Sequence, residues 1–230
     1  MREICFDTET TGLDPKEGDR ITEIGCVEVI DRKITGNTYR EIINPGRKNS
    51  IESIEITGLT DEILKDKPYF SEIADSLLEF IGDSQLVAHN AGFDMAFLNH
   101  EFTLLGKEPL KNPVVDSLAL AKIKFPGKKN NLDILCERFN IDNSRREKHG
   151  ALLDAELLAE VYICLTQEEQ SQFFAESKEV EQIADIESII KTANSRKKLE
   201  SRHFLVSESD EELHKAFLEK NIKGSIWNKN

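Results

Sequence analysis

The chain has 230 residues, of which 43 are acidic and 30 basic, giving a formal charge of −13 at pH 7. That length permits one or two domains with a full core. No apolar run approaches the ~20 residues of a bilayer-spanning helix, which excludes a helical membrane protein, and so acidic a chain is a poor stand-alone partner for nucleic acid, because affinity for phosphate backbones comes mainly from lysine and arginine.

The opening residues, Met1-Arg2-Glu3-Ile4-Cys5-Phe6-Asp7, meet an acidic side chain too early for a signal peptide, so a cytoplasmic location is expected. Cys5, Cys26, Cys136 and Cys164 are far apart and include no C-x-x-C pair, so they are expected as buried thiols, not as a zinc site or a disulfide framework.

The first strand is expected at Ile4 to Phe6, running into Asp7-Thr8-Glu9 and closed by a turn at Gly12. Two β-rich runs, Ile21 to Ile30 and Ile34 to Ile43, are separated by the short Asp31-Arg32-Lys33, which suggests a hairpin and hence a three-stranded meander. Ile73, Leu77 and Phe80 recur at helical spacing over Ser71 to Phe80, with Ser71 as N-cap. Gln85 to Ala88 reads as a buried strand, followed by a helix from about Asp94 to Leu105. Val114-Val115 makes a short fifth strand, and helices follow at about Ser117 to Ile123, Leu132 to Phe139 and Leu152 to Leu165. Strands first, then strands alternating with helices, predicts an α/β fold with a mixed five-stranded sheet covered by helices. Beyond Thr166 the composition turns polar and acidic. Residues 1–166 therefore read as one domain, 167–185 as a flexible tether and 186–230 as a small segment too poor in apolar residues to fold without a partner.

Carboxylates carry the candidate chemistry. A D-x-E triplet discriminates little by itself, since the chain has four, at Asp7/Glu9, Asp154/Glu156, Asp185/Glu187 and Asp210/Glu212. Asp7 and Glu9 differ in context: residues i and i+2 of a strand share a face, and these two sit at the strand's end, where open α/β sheets bind ligands. Asp94 follows a second strand closely enough to lie near its C-terminal end. In the last long helix Asp154 borders the apolar stripe of Leu157, Leu158 and Val161 while Glu156 faces solvent, and a carboxylate beside a packing face requires a partner. Should Asp7, Glu9, Asp94 and Asp154 converge, they cannot all stay ionised without cations. Magnesium or manganese, which favour oxygen ligands, are the natural choice. A pair of such ions ~4 Å apart suits in-line phosphodiester hydrolysis. His149, at the entrance to the Asp154 helix and followed by a glycine that lends its loop freedom, is placed to serve as general base.

Read together, D-T-E-T-T-G-L (Asp7 to Leu13), H-N-A-G-F-D-M-A-F-L (His89 to Leu98) and H-G-A-L-L-D-A-E-L-L-A-E-V-Y (His149 to Tyr162) resemble the three motifs of the DEDD exonucleases with a histidine base. Their order and spacing are similar to those of the epsilon-type proofreading subunits of bacterial DNA polymerase III. The likeness extends through Lys65 to Pro68, Phe125 to Leu132 and Ile141 to Ser144, and so covers residues 1–166. It implies a ribonuclease H-like fold, two divalent metal ions and removal of mononucleotides from DNA 3′ ends. By motif position Asp7, Glu9, Asp94 and Asp154 would hold the metals and bound substrate, and His149 would deprotonate water. Leu13 and Phe93 would pack on the terminal nucleotides, and Glu52 and Thr57 would lie near the bound nucleotide, although Ile56-Thr57-Gly58 stands where the family usually shows V-H-G. In the tail, Gln170-Ser171-Gln172-Phe173-Phe174 is similar to peptides that dock on the sliding clamp, and the end around Trp227 resembles the segment that binds the polymerase alpha subunit.

Tethering would answer the charge problem, since a flexible link supplies an effective concentration of order millimolar. The stretch Lys122 to Lys148, with eight basic and four acidic residues, would steer phosphates. Two other functions compete: a free-standing exonuclease acting on RNA or short oligonucleotides, which has no evident use for such a tail, and a non-catalytic scaffold between polymerase and clamp, which does not require four carboxylates and a histidine.

Overall fold

Successive residues of a strand point to opposite faces, so the clusters that Ile4, Cys5 and Phe6 join assign the faces of the first strand. In the computed structural model, which describes residues 1–146 and 148–181 together with Asp210, Glu212 and Phe217, strand β1 runs from Arg2 to Thr10. Ile4 and Phe6 enter one apolar cluster and Cys5 the other, so Asp7 and Glu9 share the face of Cys5. The two carboxylates lie in the last residues of the strand, at its end as the sequence suggests.

Strands β2 (Ile21–Ile30) and β3 (Lys33–Ile42) complete the meander. Their turn is Asp31-Arg32 with φ of 50° and 62°, the left-handed pair of a two-residue hairpin, and Lys33 belongs to β3. Strands β4 (Gln85–Ala88) and β5 (Val114–Asp116) add in parallel, giving the order β3-β2-β1-β4-β5. β1 is antiparallel to β2 and parallel to β4, so the chain changes direction of winding beside β1, where ligand crevices form in such sheets.

Helices α1 (Ile51–Thr57) and α2 (Asp61–Leu64) precede α3 (Phe70–Ile81), α4 (Ala91–Leu104), α5 (Ser117–Lys124), α6 (Leu132–Phe139) and α7 (Ala151–Glu181). α3 and α4 cover one sheet face with Phe70, Leu77, Phe97, Leu98 and Phe102. α5, α6 and α7 cover the other, where Leu158, Val161 and Leu165 continue the stripe that begins at Asp154. Each face buries a continuous apolar layer, the main source of stability in such a sandwich.

Helix starts differ from expectation in two places. α3 begins at Phe70, one turn residue after Tyr69, because Glu72 accepts the Tyr69 N–H at 2.7 Å and so caps the helix in place of Ser71. α4 begins at Ala91 and not near Asp94. Asn90 adopts the left-handed conformation (φ 70°), and its N–H donates to Asp116 at 3.0 Å. The same Asp116 oxygen caps α5 through Leu118 N–H at 2.9 Å, so one aspartate ties the ends of β4 and β5 to the helices that follow. Of the cysteines, Cys5, Cys26 and Cys136 are buried and Cys164 only half-buried.

α7 continues to Glu181 through the stretch whose composition suggests a tether. Glutamate, glutamine, alanine and lysine are good helix formers and no glycine or proline interrupts 167–181. Two compact units are distinguished, Met1–Lys178 and Glu179–Asn230. Gln170, Phe173 and Phe174 lie on the helical backbone of α7, outside the residues whose side chains are described, and Trp227 lies outside the described residues altogether.

Candidate active site

β1 delivers Asp7 and Glu9, the first turn of α4 delivers Asp94, the first turn of α7 delivers Asp154, and the loop before α7 delivers His149. All five line one cleft of about 290 Å³, together with Phe93, Asp133 and Arg146. Asp94 and Asp154 are almost fully buried, and Glu9 nearly so. Ligand atoms of Glu9, His149 and Asp154 lie within 4.8 Å of one another. The expected convergence is therefore present in the fold.

Asp94 is fixed from β1: its Oδ1 accepts the Thr8 N–H at 3.1 Å and the Thr8 hydroxyl at 2.7 Å. Asp154 is fixed by Arg146, whose Nε and Nη2 donate to Oδ1 and Oδ2 at 2.6 and 2.7 Å, the bidentate geometry that makes such pairs strong. Arg146 Nη1 also reaches both oxygens of Asp133 at 2.9 Å, and its Nη2 lies 3.0 Å from His149 Nδ1. The His149 loop is pinned at both sides. His149 N–H donates to Ile56 O at 3.1 Å, and Lys148 Nζ to Glu55 O at 2.9 Å. Gly150 is not among the residues of positive φ, and a Cβ there would meet nothing closer than 4.0 Å. The backbone bond to α1, not freedom at the glycine, sets where His149 stands.

The start of α7 is positioned by β2. Buried Glu23 accepts the Ala151 N–H at 3.3 Å and the Arg40 guanidinium at 2.7 Å, a carboxylate at a helix N-terminus as the helix dipole favours. Arg146, Asp133 and Glu23 belong to this site without a motif that marks them in the sequence. Arg146 carries the one usable signal, its place in the basic stretch three residues before His149.

Burial, joined by like charge at Asp7 and Glu9, raises the proton affinity of three of these carboxylates. Glu9 is pushed up to about 8 by burial first and then by Asp154 and Glu23. Asp94 is raised to about 7 by burial, and Asp7 is raised well above the carboxylate range by burial and by Asp94 and Glu9. Burial and the neighbouring Arg146 lower His149, so its imidazole is neutral at pH 7. Crowded, buried carboxylate oxygens of this kind suit divalent cations.

A larger groove of about 680 Å³ opens beside the cleft and is lined by Leu13, Glu52, Thr57, Phe93, Glu9 and His149, with Arg47 and Lys48 at its margin. Leu13 is 85% exposed at the wall of this groove. The Thr57 hydroxyl is committed to its own helix end: it donates to Ser53 O at 2.8 Å and accepts the Leu59 N–H at 3.1 Å.

The family model described as Exonuclease matches residues 4–162. Among curated relatives, the DNA polymerase III subunit epsilon of Rickettsia felis is 46% identical over 229 residues, covering 97% of this chain and 98% of that one. The DNA polymerase III subunit epsilon of Escherichia coli is 43% identical over 231 residues, covering 95% and 92%. Among solved structures, exonuclease X in complex with 5′ overhanging duplex DNA shares 28% identity at a TM-score of 0.57, covering 72% of this chain and 90% of its own. The nuclease domain of 3′hExo, a DEDDh family member bound to rAMP, has the same fold at 18% identity and a TM-score of 0.61, covering 73% and 92%.

Proposed function

Because the chain belongs to the exonuclease family and is a 3′–5′ exonuclease of the proofreading kind, we propose that Asp7, Glu9, Asp94 and Asp154 hold two divalent ions, magnesium or manganese, and that His149 is the general base. The observation that carries this reading is the meeting of all five side chains in one cleft beside β1. When bound, the ions supply charge stabilisation to the attacking and leaving oxygens of an in-line displacement. His149, neutral at pH 7, takes the proton of the attacking water. Leu13 and Phe93 pack on the terminal bases, while Glu52 approaches the terminal nucleotide. Thr57 contributes groove wall, since its hydroxyl is already engaged.

DNA is the substrate, and the polymerase alpha subunit and the sliding clamp are the partners, reached through Trp227 and through Gln170, Phe173 and Phe174. Similarity to epsilon subunits that spans 97% and 95% of the chain, tail included, supports this assignment. Confinement beside a polymerase lets an acidic nuclease work at a DNA end it would hold weakly by itself. The test is a mismatched primer, labelled at its 3′ end, incubated with and without chelator beside an RNA of the same sequence. Release of labelled mononucleotide from DNA that stops with chelator is expected. Release that survives chelator, or a preference for the RNA, would overturn the reading.

A further inference from the structure

Arg146 occupies both oxygens of Asp154 through one planar guanidinium. A divalent ion on that carboxylate would sit within a few ångströms of the same positive group. Arg146 and Asp154 are only 9% and 4% exposed, so little water or salt screens the repulsion between them. Cation and guanidinium therefore compete for Asp154.

A second station for Arg146 already exists. Its Nη1 is shared between the two oxygens of Asp133 at 2.9 Å, and Asp133, on the first turn of α6, is 44% exposed. Asn143 Nδ2 donates to the same carboxylate at 3.2 Å, tying the loop that carries Arg146 to that station. A guanidinium always donates. Its Nη2, 3.0 Å from His149 Nδ1, thus makes Nδ1 the acceptor, puts the ring proton on Nε2 and covers the ring's basic lone pair.

Resting on the reading of Asp154 as a metal ligand, we propose that Arg146 is a resident counter-ion which a divalent cation must displace from Asp154 onto Asp133, and that the same displacement uncovers the lone pair of His149. Arg146 is thus a positioning residue that keeps Asp154 paired and the base covered in the metal-free cleft, and Asp133 sets how readily it leaves.

The experiment is Mn²⁺ binding to the full chain, measured by the electron paramagnetic resonance of free Mn²⁺, for the unsubstituted protein, R146Q, R146K, D133N and R146Q/D133N. Removing the competitor in R146Q should tighten Mn²⁺ about tenfold, within the range of ordinary coupling between sites. D133N should weaken it, and should have no further effect once Arg146 is gone. A structural role for Arg146 predicts the reverse, weaker binding in R146Q, and circular dichroism of each variant reports any loss of fold. R146K, which cannot form the bidentate pair, should fall between R146Q and the unsubstituted protein. Unchanged Mn²⁺ affinity in R146Q, or a D133N effect that persists in the double variant, would overturn the proposal. Absence of Mn²⁺ binding by the unsubstituted protein would instead overturn the metal reading on which it rests.

Discussion

Gly25 of β2 lies directly against the amide of Leu152 in α7: a Cβ on Gly25 would come within 2.2 Å of the Leu152 nitrogen and 2.3 Å of the Ala151 carbonyl carbon. Backbone cannot yield as a flexible side chain does. The helix that carries Asp154 approaches the sheet this closely only because residue 25 has no side chain. Gly25→Ala should therefore push the start of α7 outward, breaking the Ala151 bond to Glu23 and moving Asp154 away from Glu9. Overpacking of this kind costs about 1–3 kcal/mol. Urea unfolding should report that loss, and exonuclease activity should fall by more than the fraction unfolded, since an error of an ångström in the ligand set is costly to catalysis.

Metal-free protein should lose stability as pH rises. Glu9 is raised in the folded chain to about 8 from an ordinary 4.5, and Asp94 to about 7 from 3.8. Between the unfolded and folded values the native state holds protons that the unfolded chain has released, so raising pH through that window favours unfolding. In chelator, Tm should decline between about pH 4.5 and 8. Saturating divalent ion should flatten the decline, because it supplies the charge the protons replaced. A Tm in chelator that climbs across this window would show that the carboxylates are not crowded as described.

The sheet and most helices were legible because their signals are local. A short apolar run closed by a glycine turn marks Ile4 to Phe6, and helical spacing marks Leu132 to Phe139 and the stripe Leu157 to Leu165. The five central side chains were legible through three short motifs, each fixed by a strand end or a helix start. What escaped depends on contacts between distant segments. Gly25 looks like an ordinary strand glycine until α7 is laid across it, and Glu23 becomes a helix cap only through Ala151, 128 residues away. Arg146 is one cation among eight in its stretch, and its role is set by where Asp133 and Asp154 stand. Helices α1 and α2, too short to show periodicity, gave no such signal. The start of α4 moved because Asn90 takes up a left-handed conformation that a string of residues does not disclose.

His149→Ala should lower hydrolysis about 10²- to 10⁴-fold, the usual range for loss of a general base, while leaving Tm nearly unchanged, since the ring is 47% exposed. Burial holds the imidazole below its ordinary 6.5. Proton abstraction requires the neutral ring, so the acid limb of the rate profile should lie below pH 6.5 at saturating metal. In His149→Ala that limb should vanish. Survival of the same limb in the variant would assign it to another group.

Thr57→Val separates a structural hydroxyl from a substrate contact. The side chain keeps its size and its place in the groove wall, but the Ser53 carbonyl loses a donor and the Leu59 N–H an acceptor. Leu59 is buried, so its amide cannot turn to water without opening the α1–α2 corner. Leaving such a group unsatisfied costs about 1–3 kcal/mol, to be read as a lower unfolding midpoint in urea. Because α1 also anchors the His149 loop through Ile56 O, kcat should fall modestly while KM for a DNA 3′ end stays within about twofold, as removal of a group that touches no substrate requires. A large rise in KM with stability intact would show that the hydroxyl contacts the nucleotide after all.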